Sequence, residues 1–304
     1  MRFAVYEKDG RRGLAVEHGD RFNGLFADEA CYPGDLEGII ANGTDLAVVG
    51  RTLSAGTAID RGSVRLLPPI SRPGKIVCIG LNYRAHSAET GFELPTYPTV
   101  FARFTSSLIG HGDPIILPPQ SSQLDYEGEL VAIIGRRGRN ISAADALGHV
   151  AGYSIFNDAT LRDFQFKTPQ WTMGKNFDGT GAFGPFFVPA AALPPGCKGL
   201  RLQTRLNRKV VQDASVSDLI FDVQTLIVLI SEVFTLETGD LIVTGTPAGV
   251  GMARDPKLWM RAGDVCEVEI GELGVLRNPV AKQADESKDS IVPLQRMEAS
   301  ADGV

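Results

Sequence analysis

Apolar and polar residues alternate with period two through much of the chain, and each such run predicts a strand. "RFAVYEKDGRRGLAVEHGDRF" alternates on both sides of Asp9-Gly10 and predicts a hairpin turning there. "DLEGIIANG" predicts a short helix closed by Gly43. From Lys75 onward, "KIVCIGLNY", "IILPP", "ELVAIIG" and "GYSIFNDAT" predict short buried strands. "SAADALGHV" predicts a helix with Ser142 as its N-cap. "LRLQTRLNRKVVQD" predicts a second hairpin, turning near Asn207. "SDLIFDVQTLIVLISEVFTLETGD" carries one amphipathic helix ending before Gly239, and "DLIVTGTP" and "VCEVEIGELGVLRNPV" return to strand. Strands outnumber helices without regular strand–helix alternation. The fold class is therefore α+β with mixed sheets rather than a doubly wound sheet.

The pattern divides the chain. Residues 1–70 form a small N-terminal β-rich unit, and "VRLLPPISRPGK", dense in proline and glycine, reads as a linker. Residues 71–281 form the larger unit, and 282–304 are a polar, aperiodic tail. No internal repeat is visible. Composition adds exclusions. The 304 residues carry a net charge of −6, which argues against a nucleic-acid or anionic-membrane partner. Apolar runs such as Leu226–Ile230 are too short to span a bilayer. The N-terminus lacks a hydrophobic signal core, so a cytoplasmic protein is the expectation. The four cysteines (Cys31, Cys78, Cys197, Cys266) form no C-x-x-C pair, which argues for reduced thiols.

The chemistry starts at "QLDYEGELVAIIG". On one strand, Asp125, Glu127 and Glu129 would face the same way, two residues apart. Such a row repels itself, and burying it is costly. A hard divalent cation would resolve that, since Mg²⁺ and Mn²⁺ take carboxylate oxygens. Asp158, at the end of "GYSIFND", is the candidate for a further ligand. The plain alternative is a solvent-facing edge strand, against which the five apolar residues that follow argue.

His86 and Glu89, three apart in "LNYRAHSAETG", share a face on a helical turn. A carboxylate beside an imidazole fixes its tautomer and suits it to general-base work, although a surface His beside a surface Glu looks the same in sequence. His18, His111 and His149 have no such partner. "GTGAFG" (179–184) matches G-x-G-x-x-G, but no apolar strand precedes it and Pro185 stops a helix. It reads as a turn. "TGTPAGVG" lacks the P-loop ending, and no G-x-S-x-G is present.

Five motifs in order then carry a resemblance: "IGLNYRAHSAETG", "DYEGELVAIIG", "GYSIFNDATLRDFQ", "GKNFDGTGAFGP" and "GDLIVTGTPAGVG…GDVCEVEIGELGVLRNPV". From about Lys75 to Val280 the chain resembles the fumarylacetoacetate hydrolase superfamily in its two-domain bacterial form. The resemblance implies a mixed β-sheet roll, a homodimer, and one Mg²⁺ or Mn²⁺ per subunit. It implies Glu127, Glu129 and Asp158 as metal ligands, and His86 and Glu89 as an acid–base dyad on a lid. Lys175 would face the developing enolate oxygen. Tyr83, Arg103, Arg162, Gln165 and Thr246 would contact substrate. Asp125 would stand behind the ligands, orienting one or pairing with a cation. One departure stands out: "FARF" (101–104) replaces a common F-x-K-P, so Arg103 takes a lysine's place and the proline is missing.

The implied reaction is cleavage of a C–C bond in a 2,4-dioxo acid of the acylpyruvate or fumarylpyruvate type. The dyad activates water, and the metal acts as Lewis acid toward an enolate. Oxaloacetate decarboxylation and hydroxymuconate-type isomerisation use the same enolate, and the motifs do not choose among them. A non-catalytic module that binds metal and a 2-oxo acid is the reading from another class. Nothing in the sequence indicates a ureidoglycolate-lyase-like site.

Overall fold

The structure is a computed structural model that describes residues 1–19, 21–90 and 94–284. Asp9 and Gly10 sit at φ 52° and 75°, the left-handed pair that a two-residue hairpin loop needs. They join β1 (Arg2–Lys8) to β2 (Arg11–His18), and β3 (Arg21–Phe26) extends the meander. Helix α1 (Leu36–Ala41) closes at Gly43, with Thr44 N donating to Ile39 O at 3.0 Å. Helix α2 (Leu46–Ser54), which the sequence pattern did not reveal, starts where Asp45 accepts from Ala47 N at 2.8 Å. The segment read as a linker is partly sheet. After β4 (Thr57–Ala58), β5 (Arg65–Leu66) pairs with β1, and Ile70 is buried.

The larger unit opens with β6 (Ile76–Gly80), α3 (Arg84–Thr90) and β7 (Thr99–Ala102). Then come β8 (Leu108–Ile109), β9 (Ile115–Leu117), β10 (Leu124–Asp125), β11 (Gly128–Ile134), β12 (Val150–Asp158) and β13 (Thr160–Leu161). Two short helices, α4 (Arg162–Gln165) and α5 (Thr172–Lys175), precede β14 (Gly181–Pro189), β15 (Arg201–Leu206) and β16 (Lys209–Ser215). The chain ends with α6 (Val223–Val233), β17 (Leu241–Val243), β18 (Val265–Ile270) and β19 (Gly274–Lys282).

Two expectations are corrected. "SAADALGHV" makes only a 3₁₀ turn at Ala146–His149, because Ser142–Asp145 are exposed and offer no face for a helix to bury. In "GTGAFG" only Gly179 lies in a turn, and Gly181–Gly184 open buried strand β14. The long helix ends at Val233, before Gly239 as expected, since Leu236 pairs with Gly138 in extended conformation. The expected tail lies outside the described residues from 285 on.

A 12-stranded mixed sheet runs β4-β3-β2-β1-β14-β12-β11-β17-β6-β7, with β5 on β1 and β8 on β14. Phe3 opposite Phe187 joins the N-terminal meander to it. One face carries α1 and α2 through Leu36, Ile39, Val49 and Leu53. The other packs on α6 and on a five-stranded sheet, β16-β15-β18-β19-β9, through Leu226, Ile230, Val268 and Leu276. Period two sorts β11 between them: Val131 and Ile133 face the first layer, Leu130 and Ala132 the second. Few helices and several mixed sheets make the fold α+β.

Candidate active site and metal centre

The acid row is broken. β10 ends at Asp125 and pairs with β13, while β11 begins at Gly128 and pairs with β12. Glu129 stays on the β11 face that continues as Val131 and Ile133. Glu127 lies at the break, its N–H donating to Asn157 Oδ1 at 3.0 Å, and Asp158 N donates to Glu127 O at 2.9 Å. That ladder brings Glu127, Glu129 and Asp158 together, with a carboxylate oxygen from each within 4.8 Å of the others. Asp125 points elsewhere. It accepts from Gly251 N (2.7 Å), Met252 N (2.9 Å) and Arg162 Nε (2.8 Å).

Three buried cations serve these acids. Lys175 Nζ, at the end of α5, donates to Glu127 Oε2 and Asp158 Oδ2, both at 2.6 Å. Arg162, at the start of α4, bridges Asp125 to Glu127, with Nη2 2.6 Å from Glu127 Oε1. Arg103 pairs with Asp158 through Nη1. Glu129 has no cation within ion-pair distance among the described residues. Its carboxylate accepts from Gly245 N at 2.5 Å. Burial, then the charges of Asp158 and Glu127, push the Glu129 carboxyl well above its usual range. Burial also acts to raise Glu127, but Lys175 and Arg162 outweigh it and bring it down to about 2. Burial works against the Lys175 ammonium, yet Asp158 and Glu127 hold its pKa above the ordinary lysine value.

These observations fit a hard cation. Three carboxylates converge, all donors are oxygens, and one buried carboxyl lacks a positive partner. Asp125, Glu127 and Asp158 already balance Arg103, Arg162 and Lys175. Adding a divalent cation and an ionised Glu129 leaves the site one charge positive, which favours an anionic ligand.

The dyad residues meet as well. His86 Nδ1 is 2.9 Å from Glu89 Oε1 on α3, and Glu89 also accepts from Gly249 N at 3.0 and 2.9 Å. His86, Glu127, Glu129, Arg162, Gln165, Lys175 and Thr246 line one small cavity of about 30 Å³. Its remaining wall is largely apolar, with Ile79, Phe101, Phe166, Trp171 and Met252. Larger cavities of about 720 and 740 Å³ are lined by none of Glu127, Glu129, Asp158, His86 or Lys175, although Phe101 and Arg103 border the second. The strand residues of the small cavity are Ile79 and Gly80 of β6, Phe101 of β7 and Glu129 of β11.

Two expected substrate contacts are corrected. Tyr83 does not line the cavity; it is 1% exposed in the core with Val223 and Leu226. Arg103 is wholly committed behind Asp158. It donates to Asp158 Oδ1, Ala159 O (3.2 Å), Thr180 Oγ1 (2.7 Å) and Ser107 Oγ (3.2 Å). Its guanidinium fork spans four acceptors that a lysine could not reach together. Arg162, Gln165 and Thr246 do line the cavity, though Arg162 Nη1 donates to Gln165 Oε1 at 2.9 Å and Thr246 Oγ1 accepts from Gln212 Nε2 at 2.8 Å. Asn157, Gln212 and the amides of Gly245, Gly249 and Gly251 were not found from sequence. Only the glycine-rich stretch 245–251 signals the three amides, and no local pattern signals Asn157 or Gln212.

Comparison with known proteins follows from this geometry. The family described as fumarylacetoacetate (FAA) hydrolase C-terminal matches residues 75–281. The mitochondrial oxaloacetate tautomerase of Homo sapiens is 37% identical over 272 residues, 88% of this chain and 86% of its own. The fumarylacetoacetate hydrolase of psychrophilic Exiguobacterium antarcticum superposes with a TM-score of 0.81 at 36% identity, covering 93% of this chain and 100% of that one. Maleylpyruvate hydrolase from Sphingobium sp. SYK-6, solved in complex with manganese(II) and pyruvate, gives 0.77 at 26% identity, with 93% and 100% covered.

Proposed function

The chain belongs to the fumarylacetoacetate hydrolase family of enzymes, and within it we propose a divalent-metal-dependent keto–enol tautomerase acting on a small 2-oxo diacid of the oxaloacetate type. The observation that carries this reading is the single acid–base pair beside the carboxylate cluster: His86, held by Glu89, lines the same small cavity as Glu127 and Glu129. Moving a proton between carbon and oxygen of one substrate needs a single base and no added water. The relative named as an oxaloacetate tautomerase supports the same substrate class.

Glu127, Glu129 and Asp158 would hold Mg²⁺ or Mn²⁺. Bound there, the cation supplies Lewis-acid stabilisation of the negative charge that enolisation develops. The chain's own groups do the rest. His86, with Glu89 fixing its other ring nitrogen, takes the proton from the carbon next to the keto group and delivers one to the former keto oxygen, and the reverse transfer turns enol into keto acid. Lys175, at the cavity wall, adds positive charge beside the developing oxyanion. Phe101, Phe166, Trp171 and Met252 exclude water, which strengthens each of these interactions.

This reorders the expectation from sequence, where hydrolysis of an acylpyruvate stood first. Hydrolysis remains the second reading. The maleylpyruvate hydrolase neighbour favours it, and the same dyad could activate water. Decarboxylation of oxaloacetate would share the enolate. The test follows loss of the enol ultraviolet band of oxaloacetate with Mn²⁺ or Mg²⁺, alongside pyruvate release from an acylpyruvate panel. The reading expects acceleration of the enol–keto exchange beyond metal alone. Pyruvate release from the panel with no such acceleration would replace it with hydrolysis.

A further inference from the structure

The loop after β17 gives backbone amides to three acids with different tasks, Asp125 taking two of them. Gly245 N donates to Glu129, Gly249 N to Glu89, and Gly251 N to Asp125. The Gly249 contact is the one that reaches the dyad helix α3. Gly249 is fixed from behind through its carbonyl, which belongs to the next peptide along the chain. The Gly249 carbonyl accepts from Tyr126 Oη at 3.0 Å and from Arg254 Nε at 3.1 Å. Arg254 Nε also reaches Tyr126 Oη at 3.1 Å, and Arg254 Nη2 donates to Val211 O. Gly249 holds φ +101°, and a Cβ there would stand 2.1 Å from Val211 O. Neither Tyr126 nor Arg254 lines the cavity.

We propose that Arg254 and Tyr126 are positioning residues for the acid–base dyad: they pin the Gly249 carbonyl, aim its N–H at the Glu89 carboxylate, and so latch α3 over the cavity. A hydrogen bond to an ionised group is stronger than a neutral one, and Glu89 in turn orients His86. The inference rests on reading His86 and Glu89 as that dyad. Arg254 was invisible in the sequence as a site residue because its effect passes through the backbone of Gly249 to Glu89, 160 positions away from Gly249.

The test uses the full-length Mn²⁺-loaded protein with oxalate as the probe, comparing Arg254→Met, Arg254→Lys and Tyr126→Phe, with Glu89→Ala as the unlatched reference. Hydrogen exchange is read over peptides covering α3, together with Mn²⁺ affinity, and kcat and KM on oxaloacetate. The expected result is faster exchange in α3 for Arg254→Met and Tyr126→Phe, approaching Glu89→Ala, with Mn²⁺ affinity unchanged. The kcat should fall about 10-fold, the scale set by one hydrogen bond to a charged group. Arg254→Lys, which keeps a donor for the Gly249 carbonyl, should recover part of both losses. Unchanged exchange in α3 would overturn the proposal, as would exchange rising equally across the chain with Mn²⁺ affinity lost. If Arg254→Met does not fold, Tyr126→Phe decides. A wild type that turns over no 2-oxo acid would sink the proposed function, while the exchange measurement with oxalate would still decide the latch.

Discussion

Lys175 holds the carboxylate cluster together, and Lys175→Met isolates that role. Its ammonium lies 2.6 Å from both Glu127 and Asp158 and 4.9 Å from the Phe101 ring centroid. All three charged side chains are at least nine-tenths buried. Methionine keeps similar bulk, so the change is mainly the loss of one positive charge against two carboxylates. Breaking a buried pair by removing one partner costs about 3–5 kcal/mol. At about 2 °C per kcal/mol for a chain of this size, the metal-free melting temperature should drop by about 6–10 °C. Mn²⁺ at a hundred times its Kd adds about 2.7 kcal/mol to whatever form binds it. In the variant it also replaces the missing charge, so its stabilising shift should exceed that of wild type. The pH dependence has a definite sign. Glu127 is held near 2 in the fold and titrates at 4.5 by default, so its stabilisation is complete above 4.5 and lost as pH falls toward 2. Without Lys175 that loss should begin at higher pH. Thermal unfolding across acid to neutral pH, in EDTA or Mn²⁺, reads all three effects. A metal-free variant melting with wild type, or equal Mn²⁺ shifts in both, would refute the reasoning.

Other expectations concern single groups. Glu129 titrates above 4.5 in the fold, so its ionisation opposes folding increasingly as pH rises past 4.5; Glu129→Gln should flatten that decline in metal-free protein and abolish the Mn²⁺ thermal shift. Arg103→Lys should lower stability by about 1–3 kcal/mol through unsatisfied buried acceptors and leave KM unchanged, and a raised KM at unchanged stability would restore Arg103 as a substrate contact. His86→Ala should bind Mn²⁺ as wild type does while kcat on oxaloacetate falls about 10²–10³-fold; lost Mn²⁺ affinity would count against the assigned role.

The unequal fates of the three acids show where sequence reading stops. Period two correctly put Glu129 on the face of Val131 and Ile133, because strand alternation is a local property of the backbone. It wrongly ran the row through to Asp125, because which strand pairs with which is settled by distant partners: β13 for Asp125 and β12 for Gly128. Arg103 was expected in the pocket because the resemblance puts it in the place of the lysine of F-x-K-P. Its four acceptors come from 107, 158, 159 and 180.

By itself, the sequence determined the turns at Asp9-Gly10 and Asn207, the buried strands and the mixed α+β class. These follow from φ preferences and side-chain periodicity, which act over a few residues. Only the tertiary structure decided that the N-terminal meander joins the large sheet through β1 and β14, and that Asp125 pairs with Arg162. It likewise decided that Arg103 stands behind Asp158 and that Gly249 meets Glu89. Each of those is a choice of partner across tens to more than a hundred residues. It is made by packing and by the need to satisfy every buried charge, and no local pattern encodes it.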